Sequence, residues 1–154
     1  MKTLQTIPIR REMPAAIRRL AIVVREDAFD RLLTPLTFAW EMSRQGAQVD
    51  MLFMHWAVRV LTKEGVRSVQ MDPAHADREP WLRERLVRMG NPVRIHDYLK
   101  LIRATGHGRL HACRDAAQLF EVRPEDLVPE VESIIDPGRF LNFVAMRADH
   151  VQYF

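Results

Sequence analysis

The chain has 154 residues, 47% hydrophobic and 28% charged, values that fit one globular domain with a sizeable core and exclude disordered and fibrous classes. Its formal net charge is +3, and its basic residues are interleaved with acids (Arg78, Arg83, Arg85 and Arg88 among Asp77, Glu79 and Glu84), the pattern of a solvated face and not of a nucleic-acid stripe. A single cysteine excludes an internal disulfide and a cysteine-built zinc site, and no apolar run approaches the roughly 20 residues that span a bilayer.

Met1 to Arg19 reads as an N-terminal extension: it carries Lys2, Arg10, Arg11, Arg18 and Arg19 but no apolar core of a secretory signal, so a cytoplasmic location is expected. The domain proper is placed at residues 20–154. Leu20 to Val24 (LAIVV) is a short β-branched run suited to a strand buried on both faces. A helix follows, with Asp30 or Thr34 as N-cap, Pro35 in its first turn, a face made of Leu32, Leu36, Ala39 and Ser43, and Gly46 as its stop. Phe38 and Trp40 are expected to pack that helix on the sheet.

Val49 to Met54 reads as a second strand and Trp56 to Glu64 as a short helix stopped by Gly65. Periodicity then weakens over residues 66–92, which Pro73, Pro80 and Pro92 punctuate. This stretch is read as an insertion carrying one helix at Trp81 to Met89. Ile95 to Thr105 is a helix with the stripe Ile95, Tyr98, Leu99 and Ile102. Arg109 to Ala112 is a third strand, Asp115 to Phe120 a short helix, Pro124 to Leu127 a single turn, and Val131 to Ile135 a fourth strand. Asp136 and Pro137 open a last helix with Phe140, Leu141, Val144, Ala145 and Ala148 on its buried face, and His150 to Phe154 is a closing strand. This alternation predicts a three-layer α/β/α sandwich, flavodoxin- or Rossmann-like, around a mostly parallel sheet of about five strands.

Ligands of such sheets bind beyond the carboxyl ends of the strands. Cys113 falls there, just before a helix whose expected N-cap is Asp115, so helix-end amides favour its thiolate. His111 and Arg114 are the candidates to tune it; Glu26, Asp27, His55, Trp56 and Asp115 are the candidates to line its pocket. The opposing reading makes Cys113 a small buried hydrophobe. A His111–Cys113 pair, even with His107, leaves a metal site short of ligands, so no metal is expected. No Gly-x-Gly-x-x-Gly, Walker loop, Gly-x-Ser-x-Gly or His-Glu-x-x-His is present, and no cofactor is expected.

The segments LAIVV at Leu20, LFMHWAVRVL at Leu52, LHACRDAAQLFEVRPEDL at Leu110 and HVQYF at His150 together resemble the DsrE/DsrF-like family of sulfur-relay proteins. PWLRERLVRMGNP, from Pro80, resembles its longer branch, sometimes labelled peroxiredoxin-like. The resemblance implies a homo-oligomer, trimer or hexamer, and a cysteine, Cys113 here, that holds sulfane sulfur as a persulfide and relays it to a partner thiol on a TusA-type carrier or another sulfurtransferase. The chain departs from that pattern at Arg25-Glu26-Asp27, at Ala57 and at Arg114-Asp115. The alternative expectation is a non-catalytic oligomeric domain that binds a small ligand or a protein and has an unreactive cysteine.

Overall fold

The computed structural model describes residues 16–154. Of the expected extension, residues 1–15 lie outside the described part, and Arg19 opens the first strand. The strands are β1 (Arg19–Val24), β2 (Gln48–Phe53), β3 (Gly108–Cys113), β4 (Val131–Ile135) and β5 (His150–Tyr153). The α-helices are α1 (Phe29–Arg44), α2 (Glu79–Arg88), α3 (Ile95–Ala104), α4 (Arg114–Leu119) and α5 (Pro137–Phe143), with short 3-10 turns between them. The sheet is parallel throughout, in the order β4-β3-β2-β1-β5.

Side chains alternate across this sheet and so divide the layers. Gly108, Leu110 and Ala112 of β3 face α3. A Cβ on Gly108 would stand 2.3 Å from Ile102 Cγ2 and 2.7 Å from the Ile102 carbonyl oxygen, so only glycine allows α3 to pack this closely. The predicted stripe of α3, Ile95, Tyr98, Leu99 and Ile102, is the buried one, and Tyr98 meets Trp40 of α1 edge to face at 6.3 Å. Trp40, half-buried against the core, thus also ties α1 to α3, while Phe38, expected on the sheet, lies at the surface against Phe154. The opposite face of the sheet carries α5 and the following 3-10 turn Ala145–Arg147. Only Phe140 of that helix is buried; Leu141, expected inside, points about 100° round the helix from it and is exposed.

Three boundaries differ from expectation for local reasons. α1 starts at Phe29 and its N-cap is Ala28, with no side-chain cap. Asp30 is engaged instead by the backbone N–H of Asp72 and by His75, and the Phe29 N–H donates to the Gln70 carbonyl. Residues 66–92 thus close over the amino end of α1 and contribute Val66, Met71 and Leu86 to the core. Pro35 accordingly stands inside the helix, not in its first turn. The expected helix after β2 is a 3-10 helix, His55–Leu61, which buries Ala57, Val58, Val60 and Leu61. The N-cap of α4 is Cys113, not Asp115. No described helix is long and apolar enough to cross a membrane.

Candidate functional site

Two groups of functional side chains emerge, one at the carboxyl ends of the strands and one across the α5 face of the sheet. At the strand ends, β2 passes into its 3-10 helix through His55, whose φ of 47° is left-handed. Such backbone costs an L-residue about 1–2 kcal/mol, although histidine tolerates it better than most. The twist turns Trp56 outward: it is 56% exposed, and its ring lies 4.8 Å from Phe120, just past α4. Arg25, His55, Trp56, Leu119 and Phe120 surround an open depression of about 580 Å³. Arg59 holds its guanidinium 6.0 Å from the Trp56 ring.

Cys113 does not open into this depression. It is 1% exposed, belongs to the hydrophobic core, and pairs with Ile135 of β4. The expectation that the turn before α4 presents its sulfur to solvent is therefore corrected. α4 packs Ala116 and Ala117 into the core and draws Cys113 in with them, leaving the outward positions to Arg114 and Asp115.

The remaining expected residues are dispersed. Arg114 is tied to Asp136, the N-cap of α5, and lies 3.8 Å from Asp115; it bridges α4 to α5. Asp115 is exposed. Glu26 pairs with Arg31 at 3.6 Å, and Asp27 lines a different cavity beside Met71 and Pro73. Of the expected pocket residues, the structure brings together His55 and Trp56.

His111 belongs to the second group. Its Nε2 lies 2.7 Å from Asp50 Oδ1, and its Nδ1 lies 2.8 Å from Ser133 Oγ. Arg109 donates to the other oxygen of Asp50 at 2.8 Å. Asp50 and His111 are 5% and 6% exposed. Burial pushes the Asp50 carboxyl up, but the hydrogen bonds from His111 and Arg109 outweigh it and hold the pKa below the ordinary value. An ionised Asp50 accepts from His111 Nε2–H, which leaves Nδ1 to accept from the Ser133 hydroxyl or, when protonated, to donate to it. Both ring nitrogens are thereby engaged by groups other than the Cys113 thiol.

A bulge builds this arrangement. Leu110 pairs with Val131 and His111 with Ser133, so Glu132 is the extra residue of edge strand β4, and the Ser133 hydroxyl comes level with the imidazole. Asp50 and Ser133 escaped the sequence reading. Asp50 had one detectable signal, an acid amid the apolar residues of Val49 to Phe53. Among the described residues no group of three or more His, Cys, Asp or Glu side chains is arranged to hold a metal ion.

No protein-family model matches the chain, and no curated protein matches it. Solved structures do. A protein of unknown function from Methanobacterium thermoautotrophicum is similar at 12% identity and a TM-score of 0.53, over 87% of this chain and 97% of that one. A conserved protein of unknown function from Bacteroides thetaiotaomicron is similar at 11% identity and a TM-score of 0.58, over 89% and 95% respectively. At such identities the likeness is one of fold.

Proposed function

We propose that this chain is a non-catalytic binding domain whose strand-end depression takes an apolar side chain of a partner polypeptide, with Cys113 serving as core. The observation that carries this reading is the exposure of Trp56 and Leu119, 56% and 67%, around a concave surface with Phe120 as its floor. Apolar groups so grouped beside arginines have the composition of interface hot spots. Arg25 and Arg59 border the depression; the Arg25 Nε donates to the Phe154 oxygen at 3.5 Å, whereas Arg59 has no Asp or Glu carboxylate within 4.0 Å among the described residues, so a partner segment with an acid beside its apolar anchor is complementary.

Persulfide relay through Cys113, with the trimeric or hexameric assembly and TusA-type partner that the resemblance implies, stands second. A thiolate must be reached by its donor, and a sulfur enclosed at 1% exposure is not in reach without opening of the α4 turn. The location at a strand's carboxyl end still favours that reading, and its burial weighs against it.

Selection from a random peptide library tests the proposal. Sequences with an aromatic or branched apolar residue flanked by Asp or Glu are expected, bound by the wild type and lost in Trp56→Ala. Selection of no such class overturns the reading. So does concentration-dependent self-association that Trp56→Ala abolishes, which would assign the depression to a second copy of the chain.

A further inference from the structure

A separate cavity of about 380 Å³ lies between the amino ends of α1 and α3 and shares no lining residue with the strand-end depression. Phe29 opens α1 just past the end of β1, and α3 runs antiparallel to β3 into which it leads, so the cavity lies on the carboxyl-end side of the sheet, where α/β domains take their ligands. Its inner wall is apolar: Phe29, Val66, Val69, Val93 and Ile95. Its charged lining is one-sided, with Arg67, Arg83, Arg94 and Lys100 set against one carboxylate, Asp97.

These cations differ in how they are held. Arg83 is held in place: its Nε and Nη2 lie 2.8 and 2.7 Å from Glu79 Oε1, its Nη1 donates to the Val93 carbonyl, and its guanidinium lies 4.2 Å over the Phe29 ring. Arg94 donates to Asp97 at 3.0 Å, and His96, also on the wall, is spoken for by Glu130 at 3.0 Å. Arg67 and Lys100 are exposed and have no carboxylate within 4.0 Å among the described residues. Two exposed cations with no carboxylate partner, beside a fixed guanidinium and an apolar wall, match a small molecule with a doubly charged head and an apolar body. The volume falls in the range of small-ligand pockets, and the concavity favours a compact anion over an extended polyanion.

We infer that this cavity binds a phosphate monoester of a compact apolar alcohol, with Arg67, Arg83 and Lys100 on the phosphate and Phe29, Val66 and Val93 against the organic part. This site is independent of the partner-binding reading and stands or falls separately.

Isothermal titration of the full chain with phenyl phosphate tests it. Binding is expected to weaken as salt rises, and roughly tenfold or more in Arg67→Gln/Lys100→Gln. Both positions are exposed, so the variant is expected to keep the wild-type near-ultraviolet circular dichroism; the two single variants should each show part of the loss. Trp56→Ala is expected to bind phenyl phosphate as the wild type does. Phenol binding as tightly as phenyl phosphate, affinity unchanged in the double variant, or no heat up to about 10 mM ligand would each overturn the inference.

Discussion

His111 and Asp50 face each other from neighbouring strands, Nε2 to Oδ1 at 2.7 Å, and at 6% and 5% exposure they form a polar tie inside an otherwise apolar sheet. Ser133 extends the tie to β4 and Arg109 closes it toward solvent, so one carboxylate organises β2, β3 and β4 on the α5 face. A buried carboxylate costs free energy unless its partners are complete, and here they are.

Removing Asp50 leaves His111 without its acceptor and Arg109 without its counter-charge. Asp50→Ala should lower the unfolding free energy by about 3 kcal/mol, the lower end for a broken buried pair because Arg109 is half exposed. Urea denaturation of the two proteins measures this. A loss under about 1 kcal/mol would show the network to be energetically idle.

The same carboxylate makes stability depend on acid. Its folded pKa lies below the ordinary aspartate value of 3.8, so near that pH the unfolded chain binds more protons than the folded one and stability rises with pH. The contribution is complete above the unfolded value and is lost as pH falls through the depressed folded value. Asp30, on which burial acts upward but the Asp72 N–H and His75 act downward more strongly, adds in the same direction. Chemical denaturation between about pH 6 and pH 2 should show a steep acid limb that is shallower in Asp50→Asn. An equal slope in both would rule Asp50 out as its source.

His55 stores strain that a mutation can release. Glycine adopts a φ of 47° freely, so His55→Gly should stabilise the fold by up to about 1 kcal/mol after its greater unfolded-state entropy is counted. Thermal unfolding at pH 7 reads the sign. A destabilised variant would mean that contacts of the His55 ring outweigh the backbone.

Much of the architecture is legible in the residues. The run Leu20 to Val24, the stripe of α3 and the Asp136-Pro137 start of α5 each satisfy a local rule, and each forms as expected. The start of α1 was not legible, because Asp30 is drawn from capping by Asp72 and His75, more than 40 residues away. Nor was the Asp50–His111–Ser133 tie, whose members lie 61 and 22 residues apart and meet only through strand order and the bulge at Glu132. The location of Cys113 at a strand end could be read from its neighbours. Its burial could not, since that depends on how α4 and β4 close around it.

That burial sets the volume the site tolerates. Cys113→Ala should cost about 1 kcal/mol for the lost sulfur, and Cys113→Ser about 1–3 kcal/mol for a hydroxyl placed among apolar groups. Thermal denaturation should rank wild type, alanine and serine in that order. Serine as stable as wild type would indicate a position already open to water.

The accessibility of the Cys113 sulfur decides between a binding domain and a sulfur carrier. Titration of the native protein with a chromogenic disulfide reagent, repeated in denaturant and after exposure to polysulfide, measures it. Labelling only on unfolding, with no mass gain, is the expected result. Rapid native labelling together with an adduct of about 32 Da, one sulfur atom, on Cys113 would contradict it.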